Sequence, residues 1–325
     1  MRRFKNILYV TNNGTDEVSI TRAAELAVRN GATLTLLDVA DKIPSWAGQR
    51  SDRVKWDKIH QADIESRKER LERAAKPYRD KITIDTKVLE GKKFLETIRQ
   101  VLKQGHDLVV KDTAISSGLM QGVFASEDMR LLRKCPCPVL LAKHNSEGDF
   151  SSIMAAVDFD DLNDLESPSA NNTLNDQILD MAISLAKAPH SKLDVMHAYQ
   201  IMGEGMLYSR RLDMSDDEAA GYIEDVRKDH EGVLSKLLGR VKRRLGEDMY
   251  GAVNINTHVI KGSAKITIPE QAKQLGTDLI VMGTVARTGI PGFFIGNTAE
   301  TILNNIDCSV LALKPKGFVS PVTLE

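Results

Sequence analysis

Along the chain, short runs rich in Val, Ile and Leu alternate with longer segments whose apolar residues recur every three or four positions. Runs at 6–11, 33–39, 82–88, 107–111 and 138–142 have the length and β-branched content of buried strands. Segments at about 16–30, 52–78, 92–104 and 126–134 carry helical spacing, as in Ala23, Ala24, Leu26 and Ala27. The order then repeats, with strands expected at 153–157, 192–198, 253–260, 278–282 and 309–313. Strands that alternate with helices predict an α/β fold, each half a doubly wound, five-stranded parallel sheet with helices on both faces. The polar stretch HNSEGDFSS (144–152) reads as a linker, which sets the expected domains at 1–145 and 152–316.

The two halves align as copies of one unit. Residues 107–143 match 278–314 without a gap at an offset of 171, pairing Asp107 with Asp278, Gly118 with Gly289, Cys137 with Cys308 and Lys143 with Lys314. The same offset reaches back to Val88/Val259 and Gly91/Gly262. Upstream it falls to 159 for 32–40 on 191–199, and to 146 for 6–12 on 152–158. The second copy has therefore gained 13 residues after its first strand, in the polar stretch DLNDLESPSANN, and 12 after its second, around MGEGMLYSRR. Both gains follow strands, where loops of α/β folds carry function. The last strands, PVLLAK and SVLALK, are expected to pair with each other, making the chain a pseudo-symmetric dimer within itself.

Composition excludes several classes. No apolar run approaches the roughly 20 residues that cross a bilayer. The apolar run in MRRFKNILYV is too short for a signal peptide, so a cytoplasmic protein is expected. Net charge is −1 overall, but residues 1–150 hold 27 Lys and Arg against 21 Asp and Glu, while 151–325 hold 17 against 24. Neither half is basic enough, nor has the aromatic-plus-basic stripe, for nucleic acid. Three cysteines do not make a disulfide framework, and Cys135-Pro-Cys137 is too tight for zinc spacing.

In a doubly wound sheet, ligands bind beyond the carboxyl ends of the strands where the strand order reverses. This points to the segments after strands one and four. In the second copy the latter reads MGTVARTGIPGFFIGNTAETIL (282–303). Gly283 follows the strand, Gly296 stands before a helix, Asn297 is a suitable N-cap and Thr298 adds a hydroxyl. Backbone N–H groups and the helix dipole there favour a phosphate, and Arg287 in the loop supplies positive charge. Glycine spacing alone equally describes an ordinary connection to a capped helix. GTVARTG is not a P-loop, and Gly203-Glu-Gly205 lacks the third glycine of a dinucleotide fingerprint.

Strand one ending in Asp158, the strand before Ala198, and Met282 through Lys314 resemble the universal stress protein family in its tandem form, over essentially the whole chain. Family members that bind ATP carry Gly-x2-Gly-x9-Gly-Ser/Thr after strand four. This chain has Gly283, then Ala286 in place of the second glycine, then Gly296, then Asn297 in place of Ser/Thr. The resemblance implies an adenine nucleotide, with Mg²⁺ carried on it. Its triphosphate site would comprise Gly283, Thr284, Ala286, Arg287, Gly296, Asn297 and Thr298, with Asp158 toward ribose or metal and Ala198 beside the base.

The first copy has lost this pattern. Asp112, Ile115 and Ala125 stand where the second copy has Gly283, Ala286 and Gly296, and Asn12 stands for Asp158; only Ser126 is retained. No nucleotide is expected there. His197 reads as a packing residue, and Asp158, Asp160, Asp161 and Asp164 as a solvated loop in which Asp158 is the one ligand candidate. No catalytic constellation is legible. The expected function is a non-enzymatic stress-response protein, at most weakly hydrolytic, whose second copy senses an adenine nucleotide and whose first copy is scaffold. The expected partners are a small-molecule nucleotide, proteins of unknown identity and a second copy of the chain, without membrane or nucleic acid. The rival reading is a nucleotide-independent adaptor, or a carrier of an apolar or lipid-like ligand walled by Met202, Met206 and Leu207.

Overall fold

In the first strand, β1 (Asn6–Val10), Ile7 and Tyr9 enter one hydrophobic core while Leu8 and Val10 enter another. A strand buried on both faces needs helices on both faces. The computed structural model describes residues 3–11, 17–43, 53–113, 124–143, 150–159, 170–186, 191–209, 214–284 and 295–324. After β1 the N-terminal half runs α1 (Glu17–Asn30), β2 (Thr33–Ala40), α2 (Arg53–Ala75), β3 (Ile84–Glu90), α3 (Lys93–Gln104), β4 (Leu108–Asp112), α4 (Ser126–Lys134) and β5 (Val139–Ala142). The C-terminal half begins with β6 (Ser152–Ala156), α5 (Ala170–Leu185), β7 (Lys192–Tyr199), α6 (Glu204–Leu207) and α7 (Asp216–Leu245). It continues through α8 (Glu247–Gly251), β8 (Asn254–Lys261), α9 (Ala264–Gln274), β9 (Leu279–Gly283), α10 (Asn297–Asn304) and β10 (Ser309–Leu313).

The described strands form one ten-stranded sheet in the order β3-β2-β1-β4-β5-β10-β9-β6-β7-β8. All pairs are parallel except β5 with β10, which run antiparallel with Leu140 opposite Leu311. The two last strands thus join the halves into a single pseudo-symmetric sheet. Helices α1, α2, α5 and α7 cover one face, and α3, α4, α9 and α10 the other. The strand order reverses between β1 and β4, and again between β6 and β9, so each half has one switch point.

Local chemistry repeats with the fold. Gly91 and Gly262 sit at φ +151° and +152° after β3 and β8, and their N–H groups donate to Ala40 and Tyr199 carbonyls. A side chain at Gly262 would place Cβ 2.6 Å from the Thr267 hydroxyl, so both conformation and space require glycine. The long α7 starts at a capping box in which Ser215 and Glu218 satisfy each other's backbone N–H. Across the seam, Arg133 pairs with Glu300, Arg3 reaches Asp180 at 3.3 Å, and the Ser320 hydroxyl donates to the Lys134 carbonyl at 2.7 Å. Residues 315–324 therefore strap the C-terminal half onto the N-terminal one, Arg99 holding the Thr323 carbonyl at 3.2 Å.

Candidate functional site

At the C-terminal switch point, a cleft of about 720 Å³ opens beyond the carboxyl ends of β6, β7 and β9. That is within the range of small-molecule sites. Leu174 and Ile178 of α5, with Ala198, Met282 and Ala299, give it apolar walls, and the starts of α9 and α10 face it. Of the residues expected from sequence, the fold brings Asp158, Ala198, Gly283, Gly296, Asn297 and Thr298 to this one cleft. Ala286 and Arg287 lie outside the described residues.

Two expectations are corrected. Thr284 is fully buried and is not on the cleft wall; its hydroxyl donates to the Leu313 carbonyl at 3.3 Å and accepts from the Lys314 ammonium at 2.7 Å. Asn297 is not the N-cap of α10. The Gly296 N–H donates to the Thr284 carbonyl and its own carbonyl accepts from Glu300, so Gly296 takes the cap position and Asn297 begins the helix. Among the described residues no side chain caps that helix, and its first turn faces the cleft.

Close packing explains the glycine at 283. A Cβ there would lie 2.6 Å from Leu174 Cδ2, so α5 can approach β9 only because residue 283 has no side chain. The next residue of α5 fixes the acid. Asn175 accepts the Asp158 N–H at 3.2 Å and donates to its carbonyl at 2.6 Å, and the Asp158 carboxylate is exposed on the cleft. Nothing in the sequence pattern marked Asn175, whose role depends on the turn of α5 that faces β6.

At the other end of the cleft, His197 is buried and makes an edge contact with Phe159, ring centroids 4.7 Å apart. Its Nε2 lies 2.9 Å from Nδ1 of His230, whose ring stacks on Tyr199 at 4.4 Å. Burial pushes His230 below the ordinary imidazole range, with Asp229 acting in the opposite direction. His197 thus packs as expected but also helps to line the cleft. His230 escaped the sequence reading because it sits within a long charged helix with no motif.

The N-terminal half carries different side chains at the same places. Tyr9 stands where β6 has Ala155, by the parallel registers of β1 with β4 and β6 with β9. Its hydroxyl donates to Asp112, the counterpart of Gly283, at 2.5 Å. Lys111 and Asp128 replace Met282 and Ala299 with a buried ion pair at 2.5 Å. Glu127, in the place of Thr298, accepts the Phe94 N–H at the start of α3 at 3.2 Å. Asp38, in the place of His197, is paired with Arg67 at 3.1 Å.

Helix α6 occupies the second insertion, tied down by a Lys261–Glu204 pair; Met202 is 98% exposed, Met206 53%, Leu207 is buried in the core, and none of the three lines the cleft. Asp160, Asp161 and Asp164 lie outside the described residues. Among the described residues, no three His, Cys, Asp or Glu side chains gather into a metal site, and no helix is long and apolar enough to cross a membrane. Cys135, Cys137 and Cys308 are free thiols, the first two 3.6 Å apart.

Comparison with known proteins agrees with this fold. The chain is 29% identical to Universal stress protein E of Escherichia coli K12 over 343 residues, covering all of this chain and 98% of that protein. It is 27% identical to the Universal stress protein E homolog of Haemophilus influenzae, across 96% of this chain and 98% of that one. Among solved structures, a functionally unknown protein from Pseudomonas aeruginosa PAO1 matches with a TM-score of 0.64 at 23% identity, covering 98% and 95% of the two chains. A universal stress protein from Archaeoglobus fulgidus matches at 0.59 and 12%, covering 95% and 98%. The profile of the Universal stress protein family matches twice, at residues 3–143 and 168–314, and the chain belongs to that family.

Proposed function

We propose that the C-terminal half binds one adenine nucleotide and that the chain acts as a non-catalytic, cytoplasmic nucleotide sensor in the stress response. In this reading residues 152–316 form the sensing domain and residues 1–145 a scaffold that has lost the site. The observation that carries it is the uncapped start of α10 beside Gly283, at one end of a cleft whose other walls are apolar and aromatic. Gly283, Gly296, Asn297 and Thr298 would hold the phosphates on backbone N–H groups and the helix dipole. Ala198 and its apolar neighbours would flank the base, and Asp158 would face the ribose. Mg²⁺ would travel with the phosphates, Asp158 being the one carboxylate among the described lining residues. Bound nucleotide supplies no chemistry here; the protein's part is to bind and orient it.

The rival, an apolar ligand held by the 201–208 insertion, loses the support of that insertion, whose methionines face solvent. Calorimetric titration of the full-length protein with ATP and Mg²⁺ tests the proposal. Saturable binding at one nucleotide per chain is expected, and absence of heat and of competition by ADP or AMP would overturn it.

A further inference from the structure

If the phosphates take the start of α10, the base lies toward the far end of the cleft, where β7 and α7 bring His197, Tyr199 and His230 together. This inference rests on the nucleotide reading above and asks which base the site reads. His197 Nδ1 is 3.3 Å from the Val157 carbonyl, which only accepts, so that nitrogen carries the hydrogen. The Nε2 of a neutral His197 is then an acceptor, and the 2.9 Å contact makes His230 Nδ1 the donor. A neutral His230 therefore has its hydrogen on Nδ1 and a lone pair on Nε2. A ring flip would break the bond to His197, and the stack on Tyr199, with an interplanar angle of 29°, holds the ring in its plane.

We infer that His230 is a specificity-determining residue of the C-terminal site, its Nε2 accepting a hydrogen bond from the ligand's base. Such an acceptor suits the amino group of adenine. A base with a carbonyl at that position, such as hypoxanthine, would set two acceptors against each other and strand both without water. The discrimination comes from a chain of three atoms, since the Val157 carbonyl orients His197 and His197 orients His230.

Protonation reverses the reading. A proton added at His230 Nε2 keeps the Nδ1–H bond to His197 and turns the reading atom into a donor. Beside it stand His197 and Tyr199 of β7 and Asp229 of α7, while Lys261 of β8 and Arg227, Glu224 and Glu231 of α7 act on the neighbouring Tyr199. Asp158 after β6 and Lys265 of α9 line the same cleft. Burial lowers His230, so the neutral form and the preference for adenine hold near neutral pH.

The test uses the full-length protein with ATP and with ITP, which carries a carbonyl in place of the adenine amine and an N–H in place of the adenine N1 lone pair. At about pH 8 the wild type is expected to favour ATP about tenfold, and the ratio to fall toward one as the pH is lowered through the His230 titration, followed by NMR on the same protein. His230→Phe is expected to bind both nucleotides with a ratio within about twofold of one. An ATP-to-ITP ratio that does not move across the pH range in which His230 titrates, or that His230→Phe preserves, overturns the inference while leaving nucleotide binding intact. Failure of the wild type to bind either nucleotide overturns the proposed function and this inference with it.

Discussion

The Tyr9 hydroxyl donates to the Asp112 carboxylate at 2.5 Å, at the positions that Ala155 and Gly283 hold in the other half. One sheet thus holds two switch points of different chemistry. The N-terminal one carries side chains that bond to each other: Tyr9 with Asp112, Lys111 with Asp128, and Asp38 with Arg67.

Tyr9→Phe removes a hydrogen bond to a carboxylate and is expected to destabilise the protein by about 1.5–3 kcal/mol. Urea unfolding followed by circular dichroism measures this. A loss below about 0.5 kcal/mol would show that the contact contributes little to holding the N-terminal half together.

The Lys111–Asp128 pair has 6% and 1% of its side chains exposed. Asp128→Ala strands a buried ammonium and is expected to cost about 3–5 kcal/mol. Lys111→Met with Asp128→Ala installs the residues that the C-terminal half already uses, Met282 and Ala299. That double variant is expected to recover to within about 1 kcal/mol of wild type. A double variant as unstable as the single one would contradict this.

Lys314 gives the fold a pH dependence. Burial at the end of β10, under the Phe318 ring, pushes its ammonium from 10.5 down to about 8. Between those values the unfolded chain binds the extra proton, so stability rises with pH across that window. The contribution is about 3 kcal/mol, and below about pH 8 the burial penalty applies in full. Lys314→Met is expected to flatten this rise relative to wild type in unfolding free energies measured across the window. The Thr284 hydroxyl keeps its bond to the Leu313 carbonyl in that variant. An unchanged slope would mean that Lys314 titrates normally.

Much of the fold was legible because buried strands leave a short apolar run whatever packs on them. The run expected at 82–88 lies at 84–90, and that expected at 309–313 is β10 itself. Helix α2 ends three residues early because Pro77 has no N–H to continue it, and Lys76–Tyr78 form a 3₁₀ turn. The site was legible where glycine marks close backbone approach, at Gly283 and Gly296. It was not legible where long-range geometry assigns the role. Asn175 clamps Asp158 from a neighbouring helix, and His230 meets His197 across 33 residues. The start of α10 was misplaced by one residue because a bond from Gly296 to Thr284, invisible in sequence, holds the chain extended at the cap.

The most direct test of the account is ATP–Mg²⁺ titration of Thr298→Glu beside the wild type. Thr298 is exposed in the first turn of α10, and the N-terminal half carries Glu127 at the same place. A carboxylate there favours the helix by about 0.3–1 kcal/mol, so the melting temperature should hold or rise. It also occupies the helix start and repels phosphate. The account predicts one nucleotide per wild-type chain and at least tenfold weaker binding in Thr298→Glu. Unchanged affinity in the variant would contradict it, as would two nucleotides per wild-type chain.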